Sequence, residues 1–180
     1  MKINTAEVLL QEEIKDLYDA EKRLVRAIPK MAKAAASEEL RNALNQHLEV
    51  TRNHVTRLEN IFEILGVPAK AKACAGMKGI IEEGEEVIEQ DAVEALLDTA
   101  IAGAAQRVEH YEMAGYAAAR TIAEHLGNGE VVDLLQQTWD EENEADQKLA
   151  ELASQFLANV PESEEADEEK PARVKGSASH

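Results

Sequence analysis

The sequence has little of what most non-helical folds require. Its 180 residues include one cysteine, nine glycines and four prolines, and aromatic residues make up only 3%. A single cysteine excludes an intramolecular disulfide framework and is typical of proteins from a reducing compartment. The scarcity of aromatic residues, glycine and proline argues against an all-β or collagen-like fold. The dominant residues are instead the strong helix formers Ala, Leu, Glu, Lys and Gln.

The chain also lacks the features of a protein that binds membranes or nucleic acid. No apolar run is long enough to cross a bilayer, and residues 1–5 lead into an amphipathic pattern without the apolar core of a signal peptide. The formal net charge of −17 repels nucleic acid and anionic membranes, and no basic stripe offsets it. We therefore expect a soluble cytoplasmic protein with no nucleic-acid or membrane partner.

Apolar residues recur at steps of three and four along most of the chain, which is typical of amphipathic helices. Pro29 lies inside the first helical pattern, where it predicts a kink rather than an end. Ser37 and Asn128 are predicted to cap helices, and capping boxes are predicted at Asn4 and at Asp91. The predicted long helices cover approximately residues 5–36, 37–65, 91–126 and 129–158.

The segment between the second and third long helices predicts a crossover. Residues 66–90 have a weak amphipathic pattern, which indicates a short helix broken by Gly76, Gly79 and Gly84. A crossover of this length can run along a whole bundle, so the second and third long helices can lie parallel. The fold class predicted is therefore all-α, a ferritin-like four-helix bundle with a long crossover.

The end of the chain differs from the rest in composition. After Val160 the sequence is acidic, has almost no apolar residues and shows no period. Such a composition cannot bury enough apolar surface to fold. We therefore predict one helical domain over residues 1–160 and a disordered acidic tail over residues 161–180.

Each long helix places polar residues near the middle of its apolar face. A buried, ionised carboxylate is very costly unless it is paired or bound to metal, so four helices with such residues at similar depth indicate a metal site. Carboxylates with imidazole suit iron or manganese. We expect one or two Fe or Mn ions and no organic cofactor. If the site is redox-active, the reaction expected is Fe(II) oxidation by dioxygen or peroxide, or peroxide reduction; the sequence leaves open whether the protein is an enzyme. The candidate ligands are Glu21, His47, Glu109, Glu112, Glu142 and Asp146.

The pattern of a ferritin-like di-metal site is incomplete here. Such sites take one Glu from each of two helices and a Glu-x-x-His motif from each of the other two. The fourth helix has Glu142 but Ala145 in place of the His, and Asp146 is an alternative ligand. The second helix has Thr51 in place of the Glu before His54, and His47 is the other imidazole candidate. We expect His54 and His110 at the surface.

A second hypothesis requires no metal. The inner glutamates can lie at the edge of the apolar face, or they can be neutralised by protons or by bases such as Arg23, Arg107 and Lys148. The protein is then a non-catalytic, dimeric helical bundle that acts through its surface.

Four sequence blocks, at residues 20–24, 47–51, 108–112 and 141–149, resemble those of the YciE/YciF family of bacterial ferritin-like stress proteins. The similarity covers roughly residues 5–158, with the blocks in the same order. The resemblance implies a ferritin-like bundle with a crossover, a homodimer and a role in stress response. The family often has a second acid where this chain has Val50.

Overall fold

A computed structural model describes residues 3–160 of the chain, and these residues form helices without any strand. The predicted acidic tail lies outside the described residues, so its disorder stays a prediction. None of the helices within residues 3–160 combines the length and the apolar character that a bilayer-crossing segment needs. The helices are α1 (Ala6–Ala34), α2 (Glu38–Ile64), α3 (Ala75–Ile88), α4 (Glu94–His125) and α5 (Gly129–Ala158).

The four long helices form the bundle, and α3 lies in the crossover between α2 and α4. Helix α1 packs against α2 and α4, and α5 packs against the same two helices. Along α1 and α5 the chain runs from the apolar cluster around Tyr116 to the one around Ile101, and along α2 and α4 it runs the opposite way. Neighbouring helices are therefore antiparallel, and α2 is parallel to α4. The predicted ferritin-like topology is confirmed.

The helix ends follow local sequence only in part. Ser37 and Asn128 cap α2 and α5 with their side chains, as predicted. The prediction of Asn4 as a cap was wrong, because Thr5 is the N-cap and its hydroxyl accepts from the Val8 amide. The capping box at Asp91 was also wrong. Helix α4 begins after Val93, which makes no side-chain capping bond.

Helix interiors tolerate residues that normally break helices. Pro29 lies within α1, which continues to Ala34. The glycines of the crossover do not interrupt α3, contrary to the sequence prediction. One of them is needed for packing, because a Cβ on Gly76 would lie 2.6 Å from the Tyr111 ring.

The crossover is attached to one side of the bundle only. Helix α3 packs against α1 and α4. The carboxylate of Asp19 on α1 accepts from the backbone N–H of Cys74 at 2.9 Å, and the Cys74 thiol contacts the Tyr111 hydroxyl at 3.1 Å. Lys30 pairs with Glu85 at 2.6 Å across the same surface. Within residues 3–160, the opposite side, between α2 and α5, has no such covering helix.

Asp98 joins the α1–α2 turn to α4. It is buried, and its two oxygens accept from the backbone N–H groups of Ala36 and Ser37 at 2.8 and 2.7 Å. Each bond from a neutral donor to a charged acceptor contributes about 1.5–3 kcal/mol.

We expect Asp98→Ala to lower the free energy of unfolding by about 2–4 kcal/mol in urea titrations. Asp91→Ala, at an exposed residue that does not cap α4, is the control and should stay within about 0.5 kcal/mol of the parent. Equal effects of the two substitutions would contradict this role for Asp98.

Candidate metal centre

A layer of polar side chains crosses the middle of the bundle. It separates the apolar cluster around Ile101 from the one around Tyr116, and each long helix contributes to it. All of its members are buried except His47, whose side chain is 12% exposed. The glutamate–histidine cluster consists of Glu21, His47, His54, Glu109, Glu112 and Glu142.

The cluster contains two groups of ligand-type atoms. In the inner group, His54 Nδ1 lies 3.0 Å from Glu142 Oε1 and 3.3 Å from Glu21 Oε1. In the outer group, His47 Nε2 lies 3.4 Å from Glu109 Oε1 and 3.6 Å from Glu142 Oε2. Within each group the ligand-type atoms all lie within 4.8 Å of one another. Glu142 belongs to both groups and directs one oxygen to each.

Most of these atoms have no hydrogen-bond partner. Eight buried atoms of the cluster form no hydrogen bond within residues 3–160, although some lie in charged contacts with one another. They are both oxygens of Glu112 and of Glu142, one oxygen each of Glu21 and Glu109, and one ring nitrogen each of His47 and His54. Buried polar groups are nearly always satisfied, because an unsatisfied one costs about 1–3 kcal/mol. All eight of these atoms are of the types that bind divalent metals. A metal ion is the kind of ligand that would satisfy several of them together.

His54 is held in place by a chain of polar side chains on the other side of its ring. Its Nε2 lies 2.8 Å from Glu141 Oε2, and Glu141 accepts two bonds from the Arg57 guanidinium, at 2.8 and 3.1 Å. Arg57 also donates to the Thr138 hydroxyl at 2.6 Å. A histidine whose Nε2–H is donated to a carboxylate presents Nδ1 as a free ligand, which is the usual arrangement in metal sites. Here Nδ1 faces Glu21 and Glu142.

Burial and mutual repulsion shift the pKa values of the glutamates. Burial, and then repulsion from Glu142, raises the pKa of Glu109 well above its usual value. Burial, and then repulsion from Glu21, does the same for the pKa of Glu112. Burial also raises the pKa of Glu21, although contact with His54 opposes this. The metal-free cluster thus favours protonated carboxyl groups.

The two histidines respond in opposite directions. Burial lowers the pKa of His47. Burial also acts to lower the pKa of His54, but the carboxylates of Glu142 and Glu21 outweigh it and raise this pKa to about 10. Burial favours the neutral form of Glu142 as well, yet contact with His54 outweighs burial and lowers the pKa of Glu142. In the metal-free protein, these shifts favour a protonated His54 beside an ionised Glu142, with Nδ1 and Oε1 3.0 Å apart. A metal ion bound at Nδ1 would replace that proton.

The structure brings together most of the predicted ligands. Glu21, His47, Glu109 and Glu142 lie in the two groups, and Glu112 is fully buried beside them with both oxygens unpaired. Asp146 is in neither group. It accepts from the Gln106 amide at 2.9 Å and lies 3.2 Å from His110 Nε2.

The prediction of His54 at the surface was wrong, because its side chain is fully buried. Its spacing from His47 is the signal that could have placed it: seven residues are two helical turns, so both rings lie on one face of α2. The role of Glu141 could not be predicted from the sequence, because it depends on the contact of Glu141 on α5 with His54 on α2. The prediction of an exposed His110 was correct, since its side chain is 65% exposed.

The alternative in which nearby bases neutralise the glutamates is not what the structure shows. Arg23 pairs with Asp19 at 2.5 Å instead of with a cluster residue. Within residues 3–160, no lysine or arginine forms an ion pair with Glu21, Glu109, Glu112 or Glu142, and only the two histidines contact these carboxylates in this way. Tyr116 donates a hydrogen bond of 2.5 Å to Glu21, which satisfies one carboxylate oxygen without neutralising it.

The fold and the cluster together define a ferritin-like helical bundle with a buried glutamate–histidine centre between its four long helices. Residues 5–160 match the domain of unknown function DUF892, and the chain belongs to this family. Protein YciF of Escherichia coli is 40% identical over 154 residues, which are 85% of this chain and 93% of YciF.

Two solved structures are similar in fold as well as in sequence. The crystal structure of the E. coli stress protein YciF superimposes with a TM-score of 0.85 at 38% identity, and the match covers 88% of this chain and 100% of that chain. YcfI from Rhodopseudomonas palustris gives a TM-score of 0.81 at 37% identity, with coverage of 83% and 95%. The resemblance to the YciE/YciF family is thereby confirmed.

Glu112 makes the pH dependence of the metal-free cluster testable. Its folded-state pKa is raised above 4.5, so its contribution to stability is full below pH 4.5 and is lost as the pH rises through the folded value. Gln does not titrate. We therefore expect Glu112→Gln to stabilise the metal-free protein by about 1–3 kcal/mol at pH 8 and by much less at pH 5.5.

Urea unfolding in the presence of a chelator measures this difference at the two pH values. Glu151→Gln, at an exposed position of α5, is the matched control and should change stability at neither pH. An equal gain in the free energy of unfolding from Glu112→Gln at both pH values would show that burial does not raise the pKa of Glu112.

Proposed function

We propose that the protein is a ferritin-like metal protein of stress response that binds two divalent iron or manganese ions in the glutamate–histidine cluster. The observation that carries this proposal is the set of eight buried ligand-type atoms without a hydrogen bond, contributed by four helices. One or two of them would be an ordinary packing fault. Eight in one layer are too many for a bundle that is otherwise well packed.

The donor set supports iron or manganese. Carboxylate oxygens and imidazole nitrogens suit both metals. Glu142 would help to hold metal in both groups, because its two oxygens face different groups. The outer group offers His47 and Glu109, and the inner group offers Glu21 and His54. Glu112 has both oxygens available to either ion. Compared with the usual di-metal pattern, both histidines come from α2, so the site is asymmetric.

The reaction we propose is oxidation of Fe(II) by dioxygen or reduction of peroxide, for which bound iron or manganese supplies the electron-transfer chemistry. The chain's own residues hold and orient the ligands. Glu141 accepts from His54 and keeps Nδ1 free for metal, Arg57 fixes Glu141, and Tyr116 orients Glu21. The apolar clusters above and below the layer shield it from water on those two sides. A role in stress response and a homodimer are proposed by analogy with the YciE/YciF family.

Metal content and thermal stability test the proposal. We expect protein purified without chelators to contain close to two ions per chain, and Glu142→Gln to lose both because Glu142 is shared. A ligand that binds only the native state at 100 times its Kd adds about 2.7 kcal/mol of stability. Added Mn(II) should therefore raise the Tm of the metal-free protein by roughly 5–10 °C. Glu151→Gln should behave as the parent.

Metal-free protein whose Tm ignores both Mn(II) and Fe(II) would overturn this proposal. The non-catalytic helical bundle would then be the better account of the function.

Glu141 provides a second, independent test. Glu141 contacts the Nε2 side of the His54 ring but is not itself a member of either group of ligand-type atoms. Its loss should therefore weaken metal binding without changing the number of ions. We expect Glu141→Ala to lower the affinity for Mn(II) by about 10–100-fold, the usual effect of removing a carboxylate that supports a histidine ligand. Titration calorimetry measures both affinity and stoichiometry. Glu151→Ala on the same helix is the control, and an unchanged affinity in Glu141→Ala would contradict the support role.

A further inference from the structure

We propose that the outer and inner groups exchange metal at different rates. Within residues 3–160, the cleft between α2 and α5 is lined by His47 and Glu109 of the outer group and by neither Glu21 nor His54 of the inner group. The inference rests on the proposed function and extends it. It assigns a route for a divalent cation from solvent to the buried layer, and an order in which the two groups are filled.

The α2–α5 cleft has a volume of about 630 Å³. Of the six residues in the glutamate–histidine cluster, His47 and Glu109 line it, and both belong to the outer group. His47 is also the one member of the cluster with appreciable exposure, 12% of its side chain. A cation in the cleft therefore meets the outer group first.

The walls of the cleft suit a small cation. Glu39 and Glu144 are exposed carboxylates that line it, and Lys148 is one exposed cation among them. Small apolar residues, Val50 and Ala145, lie on the two facing helices and leave the passage open. Carboxylates in a concave surface concentrate divalent cations and speed their association.

The inner group has no comparable opening. Glu21 and His54 are fully buried, and neither lines the cleft. On the side of α1 and α4 the bundle is covered by α3, which the bond from Cys74 to Asp19 attaches to α1. Glu142 joins the outer group to the inner one, because it contacts His47 with one oxygen and His54 with the other. Glu141 also lines the cleft, but it contacts His54 at Nε2, whereas Glu21 and Glu142 face Nδ1.

An order of filling follows from this geometry. A cation reaches His47 and Glu109 from the cleft and then passes along Glu142 to Glu21 and His54. Release must follow the same path in reverse, so an ion in the inner group leaves only after the outer group is empty or the bundle opens. The outer ion should exchange readily with solvent, and the inner ion should be retained.

Release kinetics test this inference. The protein is loaded with Mn(II) alone and mixed with an excess of a colorimetric chelator in a stopped-flow instrument. We expect two phases of equal amplitude, one ion each, with rate constants at least tenfold apart.

Substitutions that fill the cleft should slow the fast phase. We expect Ala145→Trp on α5 and Val50→Trp on α2 each to reduce the fast rate constant at least tenfold, while the number of Mn(II) ions bound at equilibrium stays the same. Ala150→Trp is the matched control, because Ala150 is exposed on α5 outside the cleft and its substitution should leave both phases unchanged. Two variants on opposite walls are used so that a packing fault in one does not decide the result.

The outcomes separate this inference from the proposed function. Absence of Mn(II) binding by the unsubstituted protein would overturn both. Release of two ions in a single phase, or cleft variants that release metal as fast as Ala150→Trp, would overturn the inference about the cleft and leave the metal protein intact.

Discussion

The structure depends on one electrostatic constraint: four glutamates lie in the middle of a helical bundle, and no lysine or arginine within residues 3–160 pairs with them. In the metal-free state, their charge is relieved by contacts with His54 and His47, by one bond from Tyr116 and by protonation. Even with these contacts, most oxygens of the four glutamates form no hydrogen bond within residues 3–160. The apolar clusters on either side must therefore supply the stability that the layer itself lacks, because buried unpaired polar groups weaken a fold.

The rest of the architecture serves this layer. Antiparallel neighbours bring the midpoints of all four long helices to the same depth, so residues far apart in sequence meet there. The crossover covers α1 and α4 and excludes water from that side, while α2 and α5 enclose a cleft that ends at His47 and Glu109. One side of the layer is thus closed and the other open, which a symmetric bundle would not provide.

Much of the fold was predictable because helical periodicity is a local property. The 3–4 spacing of apolar residues predicted all four long helices within a few residues, and Gly66 and Gly127, with φ of 67° and 69°, end two of them. Polar residues within those stripes predicted most of the cluster. The predictions of caps at Asn4 and Asp91 were wrong, because a capping pattern competes with adjacent residues and with tertiary packing.

By itself, the sequence determined that the chain forms amphipathic helices and that each long helix places a carboxylate or a histidine among its apolar residues. Tertiary structure decided which of those residues meet: it buried His54, left Asp146 beside His110, and recruited Glu141 and Arg57 to hold the His54 ring. Periodicity fixes only the face on which a side chain lies, whereas the rotation and depth of each helix against its neighbours depend on packing along its whole length.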